Sequence, residues 1–87
     1  MTTHDFDCYL AKGPADDAAD EAFADRLFER FEGDATPGRR SGEALVSFTL
    51  EAESLGAALA VAVEALEAEG YAVRRVEMWE DQTRLAA

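Results

Sequence analysis

The 87-residue sequence predicts an α+β fold, in which two helices cover one face of a four-stranded antiparallel sheet. Three segments show the apolar alternation of strands, imperfectly in the last, and two show the 3.6-residue apolar period of helices. A fourth, irregular segment allows a short edge strand. Glycine or proline lies at most of the boundaries between them. The segments follow one another as β-α-β-β-α-β, and this order favours a two-layer sandwich.

The first strand is predicted from His4 to Ala11, where Phe6, Cys8 and Leu10 alternate with polar neighbours. Gly13-Pro14 then ends the strand.

The first helix is predicted from Asp16 to Glu32. Acidic residues crowd its start, where carboxylates cap free N–H groups and match the helix dipole. Gly33 is the expected C-terminal stop. The stripe expected to be buried consists of Phe23, Leu27, Phe28 and Phe31.

A short edge strand is predicted from Thr36 to Arg40, because Pro37 is unsuited to a central strand, with a Ser41-Gly42 turn after it. The clearest strand runs from Glu43 to Glu51. Its two predicted faces are Ala44, Val46, Phe48 and Leu50 on one side, and Leu45, Ser47 and Thr49 on the other.

The second helix is predicted to begin after Ser54, a good N-cap, with Glu53 as an alternative start, and to end at Gly70. The last strand is predicted from Tyr71 to Trp79, with a bulge or two partly covered faces because its alternation is imperfect. The stripe expected to be buried on the second helix is Leu55, Leu59, Ala62, Val63 and Leu66.

Right-handed crossovers place both helices on the same face of the sheet. The result is a ferredoxin-like βαββαβ sandwich with strand order 4-1-3-2. We expect a single domain over residues 1–87, with its core at about 5–79 and a flexible tail at 80–87.

The sequence resembles a small ferredoxin-like domain of poorly characterised bacterial, mostly actinobacterial, proteins, in which it often precedes a helix-turn-helix segment. The resemblance covers about residues 5–79, and it implies a sensing or pairing module of a regulator. Since the residues after Trp79 are too few for a helix-turn-helix, we expect only the partner-binding half of that role here. The resemblance is carried by Phe6-Asp7, Arg26-Leu27-Phe28-Glu29, Asp34-Ala35-Thr36-Pro37-Gly38, Val46-Ser47-Phe48 and Val73-Arg74-Arg75-Val76-Glu77.

The chain is strongly acidic, with 19 acidic residues against 8 basic ones and a formal net charge of −11. Direct nucleic-acid binding is not expected, because it needs clustered Lys and Arg to neutralise phosphates. Anionic membranes are disfavoured for the same reason, and no apolar run approaches the ~20 residues of a membrane span. With no signal-peptide pattern at the N-terminus, we expect a cytoplasmic protein.

The residues predict no catalytic site, no metal site and no cofactor. The single cysteine, Cys8, and the single histidine, His4, lie about 13 Å apart on an extended strand and cannot form a nucleophile–base pair. Cys8 is expected in the core. Asp5 and Asp7 share one face while His4 points to the other, so these three residues do not make a metal site.

The sheet face that lacks helices is the predicted partner-binding surface. Tyr9, Leu45 and Trp79 are expected to lie exposed there, and an exposed apolar patch marks an interaction site. Flanking acids favour a protein partner over RNA. The full predicted set is Tyr9, Leu45, Thr49, Arg75, Glu77 and Trp79, with Arg39 and Arg40 as a separate anion contact in the Gly38-Arg39-Arg40-Ser41-Gly42 loop, where the edge strand ends.

These features favour a non-enzymatic protein-interaction or regulatory module that pairs through its open sheet face, as a homodimer or with one protein partner. A second hypothesis is an acidic inhibitor that mimics DNA and docks on a basic nucleic-acid-processing partner. A third is a small-ligand sensing domain, with Arg39, Arg40 and Arg75 as anion contacts. Adaptation to a salty cytoplasm is a further explanation of the acidity.

Overall fold

The computed structural model describes residues 1–78, which form four strands and two helices in the order β-α-β-β-α-β. The expected tail at 80–87 lies outside the described residues. The elements are β1 Thr2–Leu10, α1 Asp17–Phe31, β2 Ala35–Arg40, β3 Glu43–Ala52, α2 Leu55–Ala68 and β4 Val73–Met78.

All strand pairs are antiparallel, and the order across the sheet is β2-β3-β1-β4. Counted from the opposite edge, this order is 4-1-3-2. The two longest strands, β1 and β3, therefore lie at the centre, and the shorter β2 and β4 flank them. This α+β architecture is consistent with a ferredoxin-like sandwich.

Side chains cap both helices where the sequence predicts. Asp16 accepts a hydrogen bond of 2.8 Å from the Ala19 N–H, and Ser54 accepts one of 3.1 Å from the Ala57 N–H. These bonds satisfy N–H groups that lack a partner within the helix. Helix α1 ends where Glu32 enters the left-handed region, one residue before the predicted Gly33. Neither helix in the described part of the chain is long and apolar enough to cross a membrane.

The core lies between the helices and one face of the sheet. Phe48, in β3, stacks on Phe6 at 5.6 Å between ring centroids and meets Phe31 edge-on at 5.4 Å. Phe23 packs against Tyr71 at 4.5 Å. Residues from both helices and from β1, β2 and β3 join one buried cluster, so both helices cover the same face of the sheet.

The predicted helical stripes are correct only in part. Phe28 is 65% exposed, because it follows Leu27 by about 100° around the helix and only one of the two can face the sheet. On α2 the fully buried residues include Ala58, Ala62 and Ala65, whereas Leu55 and Leu59 are partly buried around the core. Three alanines and Leu66 thus occupy the fully buried positions of α2.

The irregularity predicted in the last strand is a β-bulge. Tyr9 pairs with Arg75 and Leu10 pairs with Val73, so Arg74 is an extra residue on β4. The extra residue places Val73 and Val76, three positions apart, against the same core cluster.

Candidate functional site

The sheet has a second face, which neither helix covers and which we call the open face. Strand residues that are paired side by side project to the same face, so the sheet register assigns its members. Its central members are Asp5, Asp7 and Tyr9 of β1, Glu43, Leu45, Ser47 and Thr49 of β3, Arg40 of β2, and Arg75 and Glu77 of β4.

Two residues of the predicted apolar patch are buried, which corrects the expectation that they are exposed. Tyr9 is 1% exposed and its cross-strand neighbour Leu45 is 5% exposed. The guanidinium of Arg75 lies flat over the Tyr9 ring, 3.9 Å from its centroid. This contact shields the ring and adds a cation–π attraction. Trp79, the third member, lies outside the described residues.

Asp7 is the most unusual residue of the open face, because its carboxylate has no exposed surface. The Ser47 hydroxyl donates a hydrogen bond of 2.6 Å to its Oδ1. Its Oδ2 has no hydrogen-bond partner among the described residues, although Arg40 Nη1 lies 3.3 Å away. A buried carboxylate needs such a counter-charge.

Arg40 covers this carboxylate from the end of β2. Its Nη1 donates a hydrogen bond of 3.0 Å to Tyr9 Oη, and it lies 3.6 Å from Glu77 Oε1. The Tyr9 hydroxyl in turn donates a bond of 3.2 Å to Glu77 Oε1. Three oxygens on β1 and β4 thus surround one guanidinium nitrogen, while 51% of the Arg40 side chain stays exposed.

A second ion-pair cluster lies beside the first. Arg75 donates a bond of 2.7 Å to Glu43 Oε2 and a longer one of 3.4 Å to Glu77 Oε2, and Arg74 approaches Glu43 at 3.4 Å. The bond from Arg75, with the charges of both arginines, holds the pKa of Glu43 below its usual value. The same bond raises the pKa of Arg75, and Glu77 adds to this effect.

Thr49 lies farther along the open face and is exposed. Its hydroxyl donates a bond of 2.8 Å to Asp5 Oδ1. Thr49 is therefore an accessible position on this face outside the two ion-pair clusters.

The structure does not bring Arg39 and Arg40 together as an anion contact, which corrects that expectation. Both belong to β2 and not to a loop, and successive residues of a strand project to opposite faces. Arg40 is held by carboxylates on the open face, and Arg39 lies on the helix side, beside α1.

Cys8 lies in the core, as predicted. It has no exposed surface, and burial, with a smaller contribution from the charge of Asp7, raises the pKa of its thiol to about 12. His4 lies farther along the same strand face, and its Nε2 has no hydrogen-bond partner among the described residues. Residues 1–78 contain no group of three or more side chains placed to hold a metal ion.

Sequence reasoning missed the burial of Asp7 and its ring of partners. The available signal was an acidic residue in the middle of a strand, between Phe6 and Cys8. A two-residue period assigns Asp7 to the open face but does not show that Arg40 and Glu77, distant in sequence, close over it.

A fold of this kind hosts many unrelated functions, so it does not by itself indicate one. Comparison of the chain with protein-family models, with curated proteins and with solved structures yields no match.

Proposed function

We propose that the chain is a non-enzymatic interaction module of a regulatory kind, and that its open face binds a second copy or another protein. The single observation that carries the proposal is the buried carboxylate of Asp7 on a sheet face without helices. The resemblance to bacterial regulatory domains supports the same role.

The energetic argument starts from the cost of burying charge. Replacing a buried ion pair by apolar residues is often neutral or stabilising, so such a pair does little for stability alone. Here Asp7 has no exposed surface and takes its counter-charge from Arg40, so stability alone gives little reason for this ion pair. The adjacent Glu43 and Arg75 both have shifted pKa values, and charged groups with shifted pKa values concentrate at functional sites.

The surface of the open face fits a polar partner. Arg40, Arg75, Glu43 and Glu77 each keep about a third to a half of their side chains exposed. Both signs of charge are present and are held in place by mutual contacts. When two copies are related by a two-fold axis, such a mixed patch can place each charge opposite a charge of the other sign on the second copy. This arrangement favours pairing of two copies.

The size of the face indicates a weak complex. The four strands average about eight residues and span roughly 19 by 26 Å, or about 500 Å² per partner. Two such faces bury about 1,000 Å², below the roughly 1,200 Å² of standard specific interfaces. We therefore expect a transient complex with a micromolar or weaker Kd.

Sedimentation equilibrium tests pairing of two copies. Thr49→Arg adds a bulky charge to the exposed part of the open face, and Ala60→Arg adds the same charge to an exposed position of α2 on the other layer. We expect Thr49→Arg to weaken self-association by about tenfold or more and Ala60→Arg to change it less than about twofold. Equal effects of the two variants contradict pairing through the open face.

A second candidate function is docking of the acidic helix layer on a basic nucleic-acid-processing protein. Four of the arginines in residues 1–78 are engaged in internal ion pairs, so they neutralise the outer surface little. Exposed carboxylates of α1 (Asp17, Asp20, Glu21, Asp25 and Glu29) then dominate that side. Such binding should weaken steeply with salt, and charge reversal at Asp20, Asp25 and Glu29 should abolish it.

A further inference from the structure

The outer edge of β2 has backbone groups that face away from the sheet. The Thr49 N–H donates a hydrogen bond of 2.9 Å to the Asp34 carbonyl, and along an antiparallel pair every second residue forms such bonds to the neighbouring strand. The residues between them on β2, which are Ala35, Pro37 and Arg39, therefore direct their backbone polar groups away from β3. Pro37, which has no N–H, is tolerated at an edge for that reason. No strand within residues 1–78 pairs with this edge.

A cavity of about 470 Å³ lies directly beside this edge, between β2 and the first turns of α1. Side chains that alternate along β2 toward the helix layer, Pro37 and Arg39, line it on one side. Apolar groups of Leu10, Phe23 and Ala44 also line it. Asp17, Asp20 and Glu21 line the side formed by α1.

This lining fits a long side chain with an apolar stem and a cationic end. Lysine and arginine bury their methylene stems along apolar surfaces and keep the charged group near polar ones. The residues that line the cavity include three carboxylates and one cationic side chain, Arg39. This excess of negative charge favours a positively charged group in the cavity.

We propose that this edge binds an extended peptide as a fifth strand, and that a basic side chain of the peptide enters the cavity. An added strand satisfies the outward backbone groups of Ala35 and Arg39, and alternate side chains of that strand point toward the helix layer. The residue that lies beside Pro37 is then the one directed at the cavity. The partner is thus an extended segment with a lysine or arginine between small or β-branched residues.

This inference does not depend on the proposed function of the open face. Of the open-face residues, Leu45 lines the cavity, whereas Asp7, Thr49 and Glu77 do not. A variant at Thr49 and a variant at Asp20 and Glu21 therefore change different sites.

The probe is a fluorescein-labelled peptide of alternating threonine and valine with one central lysine, and its matched control carries norleucine in place of lysine. We expect the lysine peptide to bind about fivefold more tightly by fluorescence anisotropy, and to shift the amide resonances of Ala35 and Arg39. Asp20→Asn with Glu21→Gln removes two carboxylates that line the cavity, and we expect about a fivefold loss of affinity. Asp25→Asn with Glu29→Gln removes the same charge from α1 outside the cavity lining and should change affinity less than about twofold.

Several results overturn the proposal. One is equal binding of the lysine and norleucine peptides, and another is no binding of either at about 1 mM. A third is displacement of the lysine peptide by n-butylamine at equal concentration, which identifies a site for small organic cations instead. A fourth is a dimer through β2 edges that the peptide does not dissociate, which assigns the edge to a second copy.

Discussion

Arg40 Nη1 lies 3.3 Å from Oδ2 of Asp7, a carboxylate with no exposed surface on the face that the helices leave uncovered. Removing one partner of a buried ion pair costs more than the pair contributes, because the other charge stays buried. Arg40→Gln should therefore lower the free energy of unfolding by roughly 1–3 kcal/mol, less than a fully buried pair because Arg40 is half exposed. Urea unfolding measures this change.

Arg39→Gln is the matched control for that prediction. It removes the same charge from the neighbouring residue of β2, which forms no ion pair among the described residues. We expect it to change the free energy of unfolding by no more than about 0.5 kcal/mol. Equal losses in the two variants contradict a specific role of Arg40 over Asp7.

The ion pair of Glu43 and Arg75 predicts a pH-dependent contribution to stability. Folding lowers the pKa of Glu43, so the pair stabilises the folded state above the unfolded pKa of Glu43, about 4.3. That stabilisation is lost as the pH falls through the lower folded-state pKa. Glu43→Gln should therefore reduce the urea midpoint at pH 7, and its difference from the native chain should shrink toward pH 3.

Glu51→Gln provides the reference for this pH series. Glu51 is exposed near the end of β3 and forms no ion pair within residues 1–78. Its substitution should leave the urea midpoint nearly unchanged across the same range. If the urea midpoint of Glu43→Gln differs from that of the native chain by the same amount from pH 7 to pH 3, this result argues against the ion pair.

The Cys8 thiol should be unreactive in the folded protein. A pKa of about 12 leaves roughly one thiolate in ten thousand at pH 8, and the side chain has no exposed surface. Alkylation by iodoacetamide, followed by mass spectrometry, should be slow in buffer and rapid in urea. Fast labelling under native conditions contradicts the core position of Cys8.

Gly13 lies where β1 leaves the sheet, in close approach to β3. A Cβ built on Gly13 lies 2.6 Å from the Cβ of Ala44, which cannot rotate away because it is attached to the backbone. Gly13→Ala should destabilise the fold by about 1–3 kcal/mol in urea unfolding. Gly38→Ala, whose new Cβ meets nothing within 4 Å, should be neutral or slightly stabilising. Equal losses in both variants contradict the close contact.

The order and type of every element in residues 1–78 are predictable from the sequence, because period and capping residues are local signals. Ser54 as the N-cap and the bulge in the last strand are examples. The exposure of side chains on the open face is not predictable from these local signals. The period predicts Tyr9 and Leu45 to be exposed, because it identifies a face without showing what covers it. The Tyr9 ring is shielded by Arg75, more than 60 residues away in sequence.

The central claim is that the open face contacts another protein. Site-specific photo-cross-linking tests it most directly, with a photoreactive phenylalanine analogue placed at Thr49 or, as a control, at Ala60 on the exposed side of α2. We expect the chain with the analogue at position 49 to form one discrete protein adduct in its native cell, identified by mass spectrometry as a second copy or a single partner. A strong adduct from position 60 with none from position 49 would contradict the claim.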